Sequence, residues 1–488
     1  MKIVLKNFRV VDEETDMPGR VIIEDGIITD VQSGSAEDKD AAMIINGASF
    51  SSPDGAFSGD KLPVLMPAFV DLHAHFRDPG FPDKEVLESG SLAAAAGGFA
   101  TVVCMANTRP VIDSIEKAAA LKERSDALGL IDLYPVMSLT RGMEGKELSG
   151  ISALPLRRES GGNAGGRKEG DGKEDGLYIP LMLSEDGKDL ADDALFLAAM
   201  KEAKRIGIPI SCHCDYGGDE AEAAKKAGQK RSVWSRIEEN NAVRRVIELG
   251  HKAGCHIHIA HVSTKEAVEM IRQAKAANNR HAIPADSGAF TLTCEVMPHN
   301  LSLTEEDAAK LGEETWGRVN PPLHLEEDRK ALVQALADGT IDAIATDHAP
   351  HSRADKEAGV PGFSGFETAF AAAYTELVRL KGAGPIFDLK RLSSLMSASP
   401  ARLLGFDNPP PGPERAGLPF RNGAQKRGRI LPGYRADLVI VDTDAPWIVN
   451  PEKFKTRGKN SPFAGRELFG KVLMTIHSGR VVFERPTY

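Results

Sequence analysis

Two histidines in the segment Val70-Asp71-Leu72-His73-Ala74-His75 form the clearest chemical pattern of this sequence. Side chains alternate between the two faces of a strand, so His73 and His75 point the same way and can share one metal ion. The strand is predicted to end at Pro79-Gly80, directly after Arg77 and Asp78. An isolated pair of this kind also fits two structural histidines beside a turn, so the metal interpretation needs support from other segments.

That support comes from other histidines and aspartates that follow apolar, strand-like runs. The residues, each with the run before it, are Asp186 after 178–183, His213 after 208–212, His261 after 257–260 and Asp347 after 341–346. Barrel enzymes collect their catalytic residues at the carboxyl ends of strands. Imidazole and carboxylate ligands suit Zn²⁺, or another borderline divalent ion, with positions left open for water.

The segment Thr346-Asp347-His348-Ala349-Pro350-His351 puts a carboxylate and two imidazoles at one predicted strand-to-loop corner. Beside a metal ion, Asp347 can bind the ion and also accept a proton from bound water. Taken alone, the segment equally fits a turn that an Asp side chain stabilises. The other ligand candidates favour the metal interpretation.

Several other histidines and cysteines are expected to pack in the structure rather than to bind a metal. Cys212 and Cys214 flank His213 and are possible thiolate ligands, but alternation puts both on the opposite face, which favours packing. His256 and His258 face away from His261 in the same way, and His251 and His281 have no partners nearby in sequence. These residues are expected to be structural.

Three polar side chains are candidates for binding a substrate. Arg77 can face an anion with a bidentate guanidinium, Asn107 ends another predicted strand, and Asn320 lies on a rigid Pro-rich turn. No G-x-S-x-G motif, Walker pattern or dinucleotide fingerprint occurs. The sequence therefore favours neither a serine nucleophile nor a nucleotide cofactor.

The elements that must position these residues fall into two classes. Both ends of the chain are rich in short strands, which predicts one small sheet domain built from both termini. The middle alternates helix and strand, with helices predicted at 115–128 and 238–252 among others. This alternation predicts parallel strands in an open sheet or a closed (β/α)8 barrel. The predicted boundaries are 1–62 and 429–488 for the sheet domain, 63–405 for the barrel and 406–428 for a Pro/Gly-rich linker. Residues 157–176, with seven glycines and one apolar residue, are predicted to be a flexible insertion.

Composition excludes several functional classes. The 488 residues carry a net charge of −10, which argues against nucleic acid as a partner. Five cysteines are too few for a disulfide framework, so a reducing compartment is expected. No apolar run of ~18 residues and no signal-peptide pattern is present. We therefore expect a soluble, cytoplasmic protein without a membrane partner.

Taken together, the motifs resemble those of the class I dihydroorotases of the amidohydrolase superfamily. The similar segments run in family order from about Leu62 to Leu404, with extensions in the tail at 432–437 and 460–463. They are Asp71-Leu72-His73-Ala74-His75-Phe76-Arg77-Asp78-Pro79-Gly80, Asn107-Thr108-Arg109-Pro110, Ser184-Glu185-Asp186-Gly187, His261-Val262-Ser263-Thr264, Asn320-Pro321-Pro322 and Asp347-His348-Ala349-Pro350-His351.

The resemblance implies a (β/α)8 metal-dependent hydrolase barrel with a small β-sandwich. It implies one zinc held by His73 and His75 and a second held by His213 and His261. Asp186 would bridge the two ions, and Asp347 would complete the first site and act as catalytic base and acid. The implied substrate-binding residues are His75, Arg77, Asn107 and His351 around a carboxylate, with Asn320, Pro361 and Gly362 near a pyrimidine ring.

The implied activity is the reversible, zinc-dependent cyclisation of N-carbamoyl-L-aspartate to L-dihydroorotate in pyrimidine (UMP) biosynthesis. The resemblance leaves open whether copies of the chain associate with one another or with an aspartate transcarbamoylase. Three positions depart from the family pattern: Glu185, Ala106 and Ala68. No lysine lies on 178–186, so the chain resembles the subgroup whose bridging ligand is an aspartate rather than a carboxylated lysine.

Two alternative functions remain at this stage. A related cyclic amidohydrolase, such as a dihydropyrimidinase, hydantoinase or allantoinase, acts on substrates without that carboxylate, so Arg77 argues against it. A metal-free, non-catalytic partner protein would have lost ligand histidines, whereas every implied ligand is present here.

Overall fold

The computed structural model describes residues 1–34, 41–50, 62–154, 178–280, 290–380, 386–406 and 426–486. The predicted insertion at 157–176, the linker residues 407–425 and His281 lie outside the described residues.

The strands of the described residues are, in chain order, β1 (Lys2–Val11), β2 (Asp16–Glu24), β3 (Ile27–Gln32), β4 (Met43–Asn46), β5 (Val64–Pro67), β6 (Phe69–Ala74), β7 (Phe99–Cys104), β8 (Asp132–Pro135), β9 (Leu183–Ser184), β10 (Ile210–Cys212), β11 (His256–Ile259), β12 (Thr291–Val296), β13 (Ala343–Ile344), β14 (Leu438–Asp442), β15 (Trp447–Ile448), β16 (Glu467–Leu468), β17 (Lys471–His477) and β18 (Arg480–Glu484).

The α-helices of the same residues are α1 (Leu87–Ala96), α2 (Ile115–Leu128), α3 (Asp193–Ile206), α4 (Gly218–Lys226), α5 (Arg231–Ala253), α6 (Lys265–Arg280), α7 (Pro298–Ser302), α8 (Glu305–Leu311), α9 (Glu326–Asp338), α10 (Arg353–Glu357), α11 (Phe366–Ala373), α12 (Leu389–Ser393) and α13 (Ser399–Leu403).

One sheet is built from both ends of the chain, as the sequence predicted. Its strand order is β18-β17-β14-β5-β1-β2-β3, and β4 pairs with β1. Strand β14 lies antiparallel to β5, so Val439 lies opposite Met66 and the C-terminal strands join the N-terminal ones. The sheet packs around buried side chains that include Leu5, Ile23 and Ile440. Burial of this apolar face is the main force that joins the two ends.

The strands β6 to β13 form a closed (β/α)8 barrel. They pair in parallel as β6-β7-β8 and as β9-β10-β11-β12-β13. Two parallel bridges close the ring, Met137 to Leu183 between the two sheets and Ala74 to His348 between the first and last strands. The closed-barrel prediction is therefore confirmed, and the open-sheet alternative is excluded.

The helices that return the chain between strands have local sequence signals at both ends. Helix α2 begins after Ser114, whose hydroxyl accepts from Lys117 N–H, and it ends at Gly129 with a left-handed φ of 64°. Its bounds match the predicted helix. Helix α5 begins at Arg231 rather than at the predicted Glu238, because the buried face of its first turns carries polar residues and gives no apolar period.

Several barrel strands are shorter than the apolar runs that predicted them, since only the central residues of those runs pair in the ring. The loops at the carboxyl ends of the strands therefore begin early and carry the candidate site residues. No helix in the described ranges is long and apolar enough to cross a membrane.

Candidate metal centre and substrate pocket

The six predicted metal ligands meet at the carboxyl ends of the barrel strands, and all six are buried. Asp186, which follows β9, lies at the centre of the group. Its Oδ1 atom is 3.2 Å from His73 Nε2 and 3.3 Å from His213 Nδ1, and its Oδ2 atom is 3.4 Å from His75 Nε2. His261 Nε2 lies 3.9 Å from Oδ1. One carboxylate thus contacts or approaches all four imidazoles.

Two overlapping sets of side chains have ligand atoms close enough to hold an ion. The first is His73, His75 and Asp347, and the second is His73, Asp186 and His261, each with its ligand atoms within 4.8 Å of one another. In the first set, Asp347 Oδ1 is 3.1 Å from His75 Nε2. His213 adjoins the second set, because its Nδ1 atom lies 2.6 Å from His261 Nε2.

The protonation of His73 follows from its contact with Glu295. Glu295 Oε1 is 3.0 Å from His73 Nδ1, and a carboxylate only accepts hydrogen bonds, so Nδ1 carries the proton. His73 Nε2 is then an acceptor, and it is a buried atom with no hydrogen-bond partner among the described residues. The atoms that face it are the carboxylate oxygens of Asp186 and Asp347. A cation between them would satisfy all three groups.

His75 is oriented in the same way by Asn107. The Asn107 amide nitrogen faces Asp186 Oδ2 at 3.3 Å, so its oxygen faces His75 Nδ1, at 2.9 Å. That oxygen accepts the Nδ1 proton and leaves His75 Nε2 free to bind an ion. On His213, Asp215 Oδ2 lies 3.0 Å from Nε2, which leaves Nδ1 free toward Asp186.

The pKa values indicate the same need for positive charge. Burial opposes a charge on His73, but Asp186, Glu295 and Asp347 together raise its pKa well above the usual value. Burial favours a neutral Asp186, yet His73 and His213 hold its pKa well below the usual value. Burial and the neighbouring His213 and His73 lower the pKa of His261 to about 3. In the absence of an ion a proton on His73 balances these carboxylates, and a divalent cation would supply that positive charge in its place.

Sequence reasoning missed the carboxylates that hold these ligands. Glu295 binds both His73 and His258, whose Nε2 atom is 3.1 Å from Glu295 Oε2, and these two histidines lower its pKa to about 2 against the effect of burial. Asp71 accepts from Thr346 N–H at 2.9 Å and from its hydroxyl at 2.6 Å, which fixes the corner that carries Asp347. The sequence signal that could have identified Asp71 and Glu295 is a single carboxylate flanked by apolar residues within a strand.

Three non-glycine residues at this rim have positive φ angles: Arg77 at 56°, His261 at 35° and Asp347 at 44°. Such angles are uncommon away from glycine and cluster at functional sites. For His261, the loop is fixed by Glu239, which accepts from Ser263 N–H at 2.8 Å and Thr264 N–H at 3.1 Å.

Arg77 and His351 lie together beside the ligand cluster. Arg77 Nη2 is 3.2 Å from His351 Nε2, and its Nε–H donates to Pro350 O at 3.3 Å. Burial and the nearby Arg77 lower the pKa of His351 to about 2, so its imidazole is neutral. Among the described residues, no carboxylate pairs directly with Arg77. The guanidinium is therefore available to an anion.

The other predicted substrate residues lie on two further loops. Asn320 Nδ2 is 3.3 Å from His213 Nε2, and Asn320 Oδ1 accepts from Arg231 Nη2 at 3.0 Å. Gly362 N–H donates to Arg318 O at 3.0 Å, and Gly362 O accepts from Lys356 and from Asn460. Both polar groups of Gly362 thus have hydrogen-bond partners within the protein.

The residues expected to be structural lie apart from the ligand sets. Burial raises the pKa of the Cys212 and Cys214 thiols well above the usual value, so they stay protonated and pack. His256 Nε2 contacts Thr293 Oγ1 at 2.9 Å, and the ring of His251 packs on Phe290. Glu185, which departs from the family pattern, accepts from Leu139 N–H at 2.8 Å and Thr140 N–H at 3.0 Å.

Comparison with known proteins agrees with this fold. The model of the amidohydrolase family matches residues 64–409. Among solved structures, the L-hydantoinase (dihydropyrimidinase) of Arthrobacter aurescens is 23% identical with a TM-score of 0.75, and this chain and that chain are covered to 99% and 96%. The dihydropyrimidinase of Brevibacillus agri is 20% identical with a TM-score of 0.74, at 99% and 95% coverage. At these identities the likeness concerns the fold.

The chain belongs to the amidohydrolase family and is a hydrolase. A curated dihydroorotase of Clostridium botulinum is 35% identical over 485 residues, which are 99% of this chain and 100% of that protein. A dihydroorotase of Bacillus caldolyticus is 35% identical over 86% of this chain and 88% of its own length. Within the family, the chain is therefore a member of the dihydroorotases.

Proposed function

We propose that this enzyme hydrolyses the ring amide of L-dihydroorotate reversibly, and in the biosynthetic direction closes N-carbamoyl-L-aspartate. The observation that carries the proposal is Arg77, a guanidinium beside the ligand cluster with no direct carboxylate partner among the described residues. Dihydroorotate bears a carboxylate that a bidentate guanidinium binds well, whereas dihydropyrimidines and hydantoins lack that group. The proposal therefore favours dihydroorotate over the substrates named for the structural neighbours.

The proposed cofactor is a pair of zinc ions. His73, His75 and Asp347 would hold the first, and His213 and His261 the second, with Asp186 shared between them because it lies near all four imidazoles. Zinc in such a site polarises a carbonyl and acidifies water, so that a nucleophile is available at neutral pH.

Asp347 is the proposed catalytic base and acid. Burial alone would favour its neutral form, but the hydrogen bond to His75 and the charge of His73 lower its pKa, so it is ionised at neutral pH. Its carboxylate would take a proton from the attacking water and give it to the ring nitrogen when the amide C–N bond breaks. In the reverse direction it would take the proton from the ureido nitrogen.

The remaining residues would bind and orient the substrate. Arg77, His351 and Asn107 would surround the carboxylate, with His75 beside them. The Asn320 amide and the Pro361-Gly362 wall would lie along the ring. Asp215 and Glu295 are proposed to hold His213 and His73 in their ligating tautomers, since carboxylates behind metal-binding histidines serve that purpose.

The test is a dihydroorotate hydrolysis assay on purified protein, with zinc measured on the same sample. We expect about two zinc ions per chain and faster turnover of dihydroorotate than of dihydrouracil or hydantoin. A protein that prefers dihydrouracil would contradict the proposal and favour a dihydropyrimidinase. A protein that binds no zinc and is inactive on all three would favour the metal-free, non-catalytic partner.

The proposed cellular location is the cytoplasm, and the partners to be tested are other protein chains. A cytoplasmic location agrees with five described cysteines that are all free thiols. The family resemblance leaves open whether copies of this chain associate with one another or with an aspartate transcarbamoylase. Light scattering on the protein alone, and after mixing with the transcarbamoylase of the same organism, tests both.

A further inference from the structure

Lys356, on the short helix α10, carries a buried ammonium group with an unusual set of partners. Its side chain is fully buried, and Nζ donates to Arg318 O at 2.8 Å, Val360 O at 3.0 Å and Gly362 O at 3.0 Å. An ammonium has three donors, and all three are used by backbone carbonyls. Among the described residues, no carboxylate pairs with Lys356. Nearby, Lys84 has the ordinary arrangement, 3.4 Å from Asp355.

These three carbonyls belong to two loops that carry predicted substrate residues. Arg318 precedes Asn320, whose amide lies 3.3 Å from His213 Nε2. Val360 and Gly362 flank Pro361 on the neighbouring loop, and Gly362 N–H also donates to Arg318 O at 3.0 Å. The ammonium therefore joins two adjacent loops beside the ligand cluster.

The charged groups near Lys356 do not stabilise its ammonium, because those that act on its pKa are cations. Burial and the positive charges of Arg318 and Arg231 lower its pKa to about 7. A methionine of similar length would avoid burial of a charge beside other cations, but it would remove all three Nζ hydrogen bonds. Among the described residues, Arg318 O would keep only Gly362 N–H as a donor, and Gly362 O only Asn460 Nδ2. The hydrogen bonds to the two loops are what the lysine supplies.

We propose that Lys356 is a positioning residue that holds the 318–320 and 360–362 loops at the separation required by the ring amide. The proposal rests on the proposed function. Lys356 touches neither the predicted metal ligands nor Arg77, so its effect falls on substrate binding rather than on proton transfer. Asn460 supports the same wall from the other side, since its Nδ2 donates to Gly362 O at 2.9 Å.

The test compares Lys356→Met with Arg353→Met in the zinc-loaded enzyme. Arg353 lies on the same helix, is exposed, and pairs with Glu357 at 2.8 Å. For Lys356→Met we expect KM for dihydroorotate to rise at least tenfold, with kcat within threefold of wild type and zinc content unchanged. For Arg353→Met we expect both constants within twofold. Lys356→Gln, which keeps two donors, should give an intermediate KM.

Several outcomes would overturn the proposal. An unchanged KM in a folded Lys356→Met or Lys356→Gln enzyme would do so, and so would a loss confined to kcat. If neither variant folds while Arg353→Met does, Lys356 is assigned to stability and the positioning role fails. If wild type ignores dihydroorotate, the proposed function fails separately, and the same KM ratio is measured with dihydrouracil or hydantoin. A wild type that hydrolyses none of them would overturn both proposals.

Discussion

Two buried clusters of charged side chains lie at opposite ends of the barrel strands. They differ in whether the positive and negative charges within the cluster offset one another. At the carboxyl ends, His73, Asp186 and Asp347 turn acceptor atoms toward one another. At the amino ends, Asp132 begins β8, and its Oδ2 atom accepts from Arg427 at 2.6 Å and from Arg435 at 2.5 Å. These guanidiniums hold the pKa of Asp132 well below its usual value, despite its burial.

The difference separates a ligand site from a structural joint. The amino-end cluster satisfies its charges internally, because Arg435 also pairs with Asp437 and His477 lies 3.4 Å from Asp132. It joins the sheet domain to the barrel. The carboxyl-end cluster needs a cation from outside the chain, which is the property expected of a metal site. Substitutions in the two clusters should therefore affect different observables.

The largest effect is expected from loss of a metal ligand. His73→Ala and His213→Ala should each abolish activity and lower bound zinc, because an open zinc site cannot spare a ligand. Zinc by atomic emission and dihydroorotate turnover measure the two consequences. His251→Ala is the control, since this exposed ring packs on Phe290 away from the cluster. Full zinc retention in both ligand variants would refute the assignment.

A smaller loss is expected for Glu295→Gln. The amide keeps the size of the side chain but removes the negative charge that His73 and His258 share. Carboxylates behind ligating histidines typically contribute about 10–100-fold to metal affinity. Competition with a zinc chelator measures the change. Glu367→Gln is the control, because this half-buried carboxyl accepts from Lys455 and Thr456 N–H away from the metal cluster. Equal affinity in the two variants would contradict the role of Glu295.

The sequence marks the proposed ligands more clearly than the carboxylates that contact them, for a physical reason. His73, His213 and the other proposed ligands are marked locally, because each lies in or directly after an apolar run that can be located. Glu295 is not marked in this way. Its contact with His73 spans 222 residues and depends on how β6 and β12 pack across the barrel. The Arg427–Asp132 contact spans 295 residues and likewise requires the assembled domains.

Helix α5 also shows where local sequence patterns fail to predict structure, here within a single element. Its first turns were not predicted, because Arg231 and Ser235 occupy the buried face where an apolar period would be sought. Arg231 is buried there because it donates to Asn320 in the pocket. A buried polar residue that contacts a proposed substrate residue thus interrupts the apolar pattern by which its helix could have been predicted.

At the rim of the metal cluster, Arg77→Met should lower kcat/KM for dihydroorotate at least tenfold. A charge-assisted pair contributes about 1.5–3 kcal/mol, and each ~1.4 kcal/mol is tenfold. Arg77→Lys should lose part of this, because an ammonium cannot bind bidentately. Dihydrouracil, which lacks the carboxylate, is the internal control, and its turnover should change little. Equal losses on both substrates would make Arg77 a structural residue.

The smallest effect on activity is expected at the amino-end cluster. Arg427→Met removes the hydrogen bonds to Asp132 and to Thr101 Oγ1, the latter at 2.8 Å, but Asp132 keeps Arg435 as its counter-charge. The free energy of unfolding should therefore fall by about 1.5–3 kcal/mol. This is less than the ~3–5 kcal/mol lost when one partner of a buried ion pair is removed and the other is left unpaired. We expect a lower Tm by calorimetry, with zinc content and kcat/KM at 25 °C within twofold of wild type.

Arg272→Met provides the control for that measurement. Arg272 is partly exposed and pairs with Glu269 at 2.6 Å and Asp338 at 3.0 Å, and such surface pairs contribute little. Its Tm should stay close to that of wild type. If Arg427→Met instead loses zinc or activity at an unchanged Tm, the two ends of the barrel are coupled, because a purely structural joint acts on unfolding and not on the ligand site. That result would remove the distinction between the internally balanced cluster and the one that requires a metal.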